Sequence, residues 1–491
     1  MNDHAVRHAG GTSPHVVVVG GGIAGLAAAA RLGGAAGGTG VSARVTLLEA
    51  ADRLGGKLRL GEVGGIPVDV GAEAVFVQQP AVLDLARHAG LADDLEPPST
   101  AEAAIWTRGA LRPLPRGHVM GIPGDLDALA DSGVLSAEGL ARVGQDLHLP
   151  RTEVGDDIAI GRYVAARMGR EVVDRLVEPL LGGVYAGHAD RISMRAALPR
   201  LLTVAGNERS VIEGIRRMRG PQPGGSPDKA APPPFRSVRG GLGRLPLAVA
   251  EACRAAGADL RTGTAVRDLR RAGEAWQLTV EGPEGMRRIE ADAVVLAVPA
   301  PAAARLLARE APAAAAELMA VEYADMALVT LVFRRSDLPL EPRGSGFLVP
   351  PVDGRTIKAS TFLSNKWGWL AESAPDHLVV RTSVGRHGED TAMILDDEEL
   401  VARSCAELAE AAGLTAEPYA GAVTRWATGL PQYVVGHGER VARVRGEVAK
   451  LRTLAVCGAA YDGVGITACV DSARRAAGDI ASHLGSRAVP A

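Results

Sequence analysis

Gly20, Gly22 and Gly25 stand at the spacing G-x-G-x-x-G, and Glu49 closes the next β-branched run. Glycines so placed let a backbone approach a pyrophosphate, and a carboxylate so placed accepts from ribose hydroxyls. The chemistry indicated is dinucleotide binding. The three glycines differ in what they do. Gly20 permits a tight turn, Gly22 admits the pyrophosphate, and Gly25 lets the next helix pack close on the strand. Gly21, Ile23 and Ala24 fill out the turn, whose amides at the helix start face the phosphates with a partial positive charge.

Three elements must position these residues. The valine run 16–19 suits a parallel strand buried on both faces, 26–32 a helix, and 45–48 a second strand ending at Glu49. Glu49 lies further on than the roughly 20 residues usual for this fingerprint. The segment GGAAGGTG at 33–40 absorbs the excess as a loop.

At 491 residues the chain can hold several domains, and a composition 47% hydrophobic and 23% charged is that of a soluble globular protein. A net charge of −3 gives no general attraction to nucleic acid. Cys253, Cys405, Cys457 and Cys469 form no CxxC pair and no metal spacing, so reduced thiols in a cytosol and no bound metal are expected. No stretch approaches the 18 or more apolar residues of a membrane span, and the charged leader is not a signal peptide. A cytoplasmic protein is expected, with peripheral membrane contact left open.

Alternation at 57–60 and 66–70 around Gly64-Gly65 predicts a hairpin, and 80–92 a helix. The stretch 106–123 is turn-rich, and 126–202 is helical in period. Residues 260–269 read as a strand, 276–280 and 289 as a meander, and 293–299 and 454–458 as further strands. Runs at 327–333, 346–350, 357–363 and 378–384 lack βαβ spacing, which predicts an antiparallel sheet covered by a helix at 398–412. The class is α/β. The expected division is a discontinuous Rossmann-like nucleotide domain (14–95, 236–305, 445–487), a helical module (96–219) and a mixed or antiparallel substrate-domain sheet (306–444), with 1–13 and the Pro/Gly-rich 220–235 flexible.

After Glu49, Arg53, Gly55 and Gly56 extend the fingerprint to E-x-x-x-R-x-G-G, which resembles flavoproteins of the amine oxidase, phytoene desaturase and protoporphyrinogen oxidase superfamily. That resemblance favours FAD over NAD. The segment Asp69 to Phe76 matches the superfamily's D-x-G-x-x-x-x-F, which runs beside the flavin ring. Further pieces narrow the match: GGLGRLP at 240–246, GFLVP at 346–350, FLSNKW at 362–367, RTSVGR at 381–386, LPQY and GH within 430–437, and GAAYDGVGITAC at 458–469. Together they resemble the protoporphyrinogen/coproporphyrinogen oxidase family from His15 to Leu484.

The resemblance implies cofactor contacts from Gly20, Gly21, Gly22, Ile23, Ala24, Gly25, Glu49, Ala50, Arg53, Gly56, Lys57, Gly71, Ala72, Glu73, Ala74, Val266, Trp426, Gly458, Val464, Gly465 and Ile466. FAD is expected to be non-covalent, because no SGGCY-like segment accompanies Cys457. The implied reaction removes six electrons from coproporphyrinogen III in haem biosynthesis, through repeated hydride transfer to the flavin with oxygen as acceptor. Protoporphyrinogen IX is the alternative. A flavin amine oxidase, a carotenoid desaturase and a non-enzymatic binder like the GDP-dissociation inhibitors stand further off. No catalytic acid or base is assigned. Lys366, Arg381 and Arg386 are candidates for substrate propionates from their place in the substrate sheet. Relatives carry a basic residue shortly after the GAEA-type segment, where this chain has Gln78-Gln79. Partners expected are the porphyrinogen, oxygen and, transiently, a ferrochelatase.

Overall fold

The structure is a computed structural model that describes residues 13–37, 39, 43–77, 79–220, 234–389 and 392–487. The two segments expected to be flexible lie, apart from residues 13, 220, 234 and 235, outside the described residues, as does Gln78.

The valine run His15–Val19 is the middle strand of a five-stranded sheet. Its neighbours are Arg44–Leu48, then Asp259–Arg261, on one side, and Ala293–Leu296, then Leu454–Val456, on the other, every pair parallel. A strand so placed is covered on both faces, so it carries no polar alternation. Val16 and Val18 pack against the layer built from helices Ile23–Leu32, Arg244–Ala255 and Ile466–Arg487. Val17 and Val19 pack against the opposite layer, which contains the meander Ala265–Ala272, Ala275–Gly282, Gly285–Ala291 and the helices Ala300–Leu307, Pro312–Met319 and His437–Ala449. The stretch 260–269, expected as one strand, divides: Asp259–Arg261 joins the parallel sheet and Ala265–Ala272 turns away into the meander.

The second sheet is larger than expected. Instead of four runs it has seven strands, in the order Ala420–Pro431, Tyr323–Arg334, His377–Val384, Ile357–Phe362, Gly346–Leu348, Ala103–Thr107, Ala110–Pro113. Gly346–Leu348 and Ala103–Thr107 run parallel, so the sheet is mixed. The last two strands come from a stretch read as turn-rich and grouped with the helical module. Their signal is hidden because Ile105 is buried beneath the helices while Trp106 is buried in the sheet's own core, leaving no apolar-polar alternation. Leu378, Val380 and Val384 face the helix Asp397–Ala412, whose Leu400 and Leu408 complete that core. The opposite face presents Arg381 toward the end of the hairpin Leu60–Val63/Ile66–Asp69, where it donates to the carbonyls of Asp69 and Gly71.

The helices from Leu126–Ser132 to Val211–Arg219 gather around a core of Ile160, Val164, Leu176 and Leu201. A buried Arg167–Asp146 pair, 2.6 Å apart, crosses it. Asp146 also accepts from Ser210 Oγ and Ile212 N, so the charge is fully bonded.

The helix Ile23–Leu32 lies so close to its strand that a Cβ on Gly25 would stand 1.8 Å from the Gly20 carbonyl oxygen. Both atoms belong to the backbone and cannot rotate away. Gly25→Ala should therefore cost about 3 kcal/mol, read as a lower thermal midpoint of the flavin-free protein. An unchanged midpoint would refute this contact.

Candidate active site

A cavity of about 720 Å³ opens where the parallel strands end. It is lined by Gly20, Gly22, Ile23, Ala24, Glu49, Ala50 and Val266 together with Gly56, Lys57, Ala72, Gly458, Val464 and Ile466, with Gly56 against Gly22 and Gly458 beside Ala24. The glycine turn builds its share of the wall by leaving side chains out. Gly20 has φ +107°, and a Cβ there would lie 2.5 Å from the Ala297 carbonyl oxygen. Gly22 is different: its backbone is ordinary and its missing Cβ would meet nothing within 4 Å. That open space faces the cavity at the start of a helix, where amides carry partial positive charge. A pyrophosphate fits this cradle, and a side chain would occupy it.

Glu49 is held by backbone. Its Oε2 accepts from Gly21 N at 2.6 Å and its Oε1 from Ala51 N at 2.8 Å, which fixes the carboxylate at the cavity edge. Arg53 does not line the cavity. It donates to the Gly56 carbonyl at 3.0 Å and its guanidinium carbon stands 6.0 Å from the Trp426 ring, so it braces the Gly55-Gly56 turn. Gly25 and Gly21 also act from behind the wall, in packing and in holding Glu49.

Lys57 faces the cavity, and burial holds its ammonium below the ordinary lysine value. The turn from Gly458 (φ +121°) to Gly463 (φ +145°) leads into the helix Ile466–Arg487. Val464 and Ile466 line the cavity and Gly465 lies between them. Cys469 also reaches the wall; burial pushes its thiol up to about 12, so it stays protonated and unreactive. Cys457 is fully buried and its thiol is raised further by the same cause.

The segment after the hairpin is clamped from the second sheet. Glu73 is buried between Lys366 Nζ and Arg381, each 2.8 Å away. Arg381 also donates to the carbonyls of Asp69 at 3.1 Å and Gly71 at 2.9 Å, while Trp426 Nε1 donates to the Val70 carbonyl at 3.2 Å. Desolvation raises the Glu73 carboxyl, but Arg381 and Lys366 outweigh it and hold the group below its ordinary value. The Asp69 carboxylate accepts from Leu242 N and Gly243 N, tying in the GGLGRLP turn, and burial pushes it up to about 6.

Lys366 and Arg381 share the single Glu73 carboxylate, so the three side chains together keep one net positive charge. Arg386 is also engaged within the protein: it is buried, donates to the Val349 carbonyl at 3.1 Å and faces Glu389 at 3.4 Å. Gly71, Glu73, Ala74 and Trp426 do not line the cavity; Gly71 packs where a Cβ would be 2.1 Å from the Lys57 carbonyl oxygen.

Sequence reasoning missed several wall residues, among them Tyr323, Arg305, Leu430 and Pro431. The LPQY motif was a usable signal for the last two. Tyr323 had none, because it opens a strand of the second sheet, and Arg305 sits on the helix Ala300–Leu307 that follows a strand of the first, with no motif to mark it. Among the described residues no cluster of histidine, cysteine and carboxylates has metal-ligand geometry.

The strand-turn-helix with its Gly22 cradle, closed from the other end of the chain by the 458–466 turn, defines a dinucleotide-binding oxidoreductase fold. The flavin containing amine oxidoreductase family matches residues 23–481. A coproporphyrinogen III oxidase of Mycobacterium leprae (strain TN) is 37% identical over 95% of this chain and 98% of its own. One from Bacillus subtilis (strain 168) is 30% identical over 96% and 98% respectively. A crystal structure from Exiguobacterium sp. 255-15, provisionally named a protoporphyrinogen oxidase, superposes with a TM-score of 0.82 at 34% identity over 96% of this chain and 100% of that one. Cyclohexylamine oxidase from Brevibacterium oxydans IH-35A, at 16% identity and a TM-score of 0.65, shares the fold. The chain belongs to the flavin containing amine oxidoreductase family. It is a flavin-dependent oxidoreductase, which sets aside the non-enzymatic binder.

Gly22→Val should abolish flavin retention while leaving the flavin-free protein's thermal midpoint unchanged, since the new side chain meets only the cavity. A variant still yellow after gel filtration would refute the cradle. Glu73→Gln leaves two cations facing no carboxylate and should cost about 3 kcal/mol at neutral pH. Because the Glu73 carboxyl is held below its unfolded value of 4.5, its stabilisation is present above that pH and is lost as pH falls through the folded value. The gap between wild type and variant should therefore close on acidification below about 4.5, which denaturant melts at stepped pH would measure.

Proposed function

We propose that the chain oxidises coproporphyrinogen III to coproporphyrin III in haem biosynthesis, with FAD held non-covalently in the channel and oxygen as the electron acceptor. The observation that carries this reading is the near full-length likeness to the Mycobacterium leprae coproporphyrinogen III oxidase, joined to a channel built between two glycine turns. Bound FAD supplies the hydride acceptor and the electronics of the redox step.

The chain's own residues bind, orient and exclude water. Amides of the Gly20 to Gly25 turn cradle the pyrophosphate, Glu49 accepts from the adenosine ribose, and Val266 lies against the adenine. At the other end, the N–H groups of Gly465 and Ile466 face the flavin pyrimidine carbonyl, where the helix start favours negative charge. Lys57 adds a positive charge on the same wall. Glu73, Lys366 and Arg381 hold the 69–74 segment rigid beside the ring. The non-covalent attachment is supported by the protonated, buried states of Cys457 and Cys469. Among the described residues no helix is long and apolar enough to cross a membrane; a cytoplasmic location, with peripheral membrane contact and transient transfer of product to a ferrochelatase, is part of this proposal.

Protoporphyrinogen IX is the second reading, and one observation favours it. Coproporphyrinogen carries two more propionates, and Lys366 and Arg381, which reach the 69–74 segment, already share the Glu73 carboxylate and leave one net positive charge between them.

The test is an aerobic fluorescence assay in which each porphyrinogen is offered separately. Coproporphyrin should form faster. Faster protoporphyrin would reverse the order of the two readings, and no porphyrin from either would sink both. Acid precipitation should leave a yellow supernatant and a colourless pellet; a yellow pellet would mean covalent flavin.

A further inference from the structure

Tyr433 lies outside the cavity wall yet holds it. The residue is 1% exposed. Its hydroxyl donates to the Ala459 carbonyl at 2.7 Å and accepts from Gly463 N–H at 2.7 Å. One oxygen thereby ties both ends of the loop 459–463, whose Ala459 and Ala460 line the cavity and whose exit delivers Val464 and Ile466 to it. The ring cannot swing away. Ser193 N donates to the Tyr433 carbonyl at 2.7 Å, Tyr185 packs at 5.7 Å between centroids, and His437 stacks at 3.9 Å. Burial pushes His437 down to about 4, so the stack is uncharged at neutral pH.

Other side chains also reach the loop: Asp462 pairs with Arg445 and Arg475 on two helices, and the Cys469 thiol donates weakly to the Gly463 carbonyl at 3.9 Å. Gly463 has φ +145°, and an added Cβ would stand 2.7 Å from the Ala468 Cβ, so the loop exit is built for a glycine. The aim of the amides that enter the helix Ile466–Arg487 therefore depends on where the Tyr433 hydroxyl stands.

We infer that Tyr433 is a positioning residue that sets the aim of the amides at 464–466 and through them the redox potential of the flavin. This rests on the proposed reading in one respect, that the flavin ring lies at the 458–466 end of the channel. Reduction adds negative charge to the ring, and hydrogen-bond donors stabilise that charge only when aligned in advance. Removing the hydroxyl leaves a buried donor and a buried acceptor unpaired, and the loop must relax to satisfy them.

The experiment is Tyr433→Phe in the flavin-loaded protein, with the midpoint potential read by dye equilibration and the flavin absorption spectrum recorded. The preference for reduced over oxidised flavin should fall about tenfold, a shift of about 30 mV to more negative potential for a two-electron couple, with displaced absorption maxima. A folded, yellow variant with wild-type potential would overturn the inference and leave Tyr433 a packing residue. Should the variant not be recovered as a flavoprotein, hydrogen exchange on the wild-type holoprotein decides: a Gly463 amide exchanging far more slowly than that of Gly388, an exposed turn glycine, supports the tie, and equal rates overturn it. Neither measurement uses a porphyrinogen. A wild type that forms no porphyrin would defeat the proposed reaction and leave this test standing.

Discussion

The close approach of the helix Ile23–Leu32 to the strand His15–Val19 governs the architecture of the site. With Gly25 against the Gly20 carbonyl, no side chain separates the two elements, and the helix start is drawn to the end of the sheet. The space beyond Gly22 stays open because the turn contributes backbone only. Everything else at the site is arranged around that opening: Glu49 is fixed by Gly21 N, the Gly55-Gly56 turn is braced by Arg53, and Ala297 closes the sheet end.

A second constraint comes from charge. The segment carrying Gly71 and Ala72 has no regular strand partner at the cavity, so side chains from the second sheet hold it. Arg381 and Trp426 bond its carbonyls while Lys366 and Arg381 neutralise Glu73. Buried cations and a buried carboxylate are each costly alone and tolerable together. Their pairing makes the contact between the 69–74 segment and the second sheet's side of the molecule specific as well as apolar.

Much of the nucleotide end was legible in the chain. Val16 to Val19, the glycine turn and Glu49 act through local geometry, and a local pattern survives in sequence. The substrate side was less so. Ala103–Thr107 hides because Ile105 and Trp106 are buried on opposite faces, and Lys366, at the end of a short helix, and Arg381, in a strand, were read as ligand-facing because a basic residue does not announce its partner. Glu73 lies 293 positions from Lys366 in the chain and further still from Arg381.

The class of cofactor could be read from the chain alone, since the glycine spacing, the acidic strand end and the later glycine turn each recur as short local patterns of residue types. Folding was needed to settle which charged groups are already spent on one another. It was needed too for Tyr433, which follows the end of one sheet and holds the loop that the last strand of the other sheet releases. Those are pairings between distant segments. Their energies come from burial and alignment, which exist once the two sheets meet and not before.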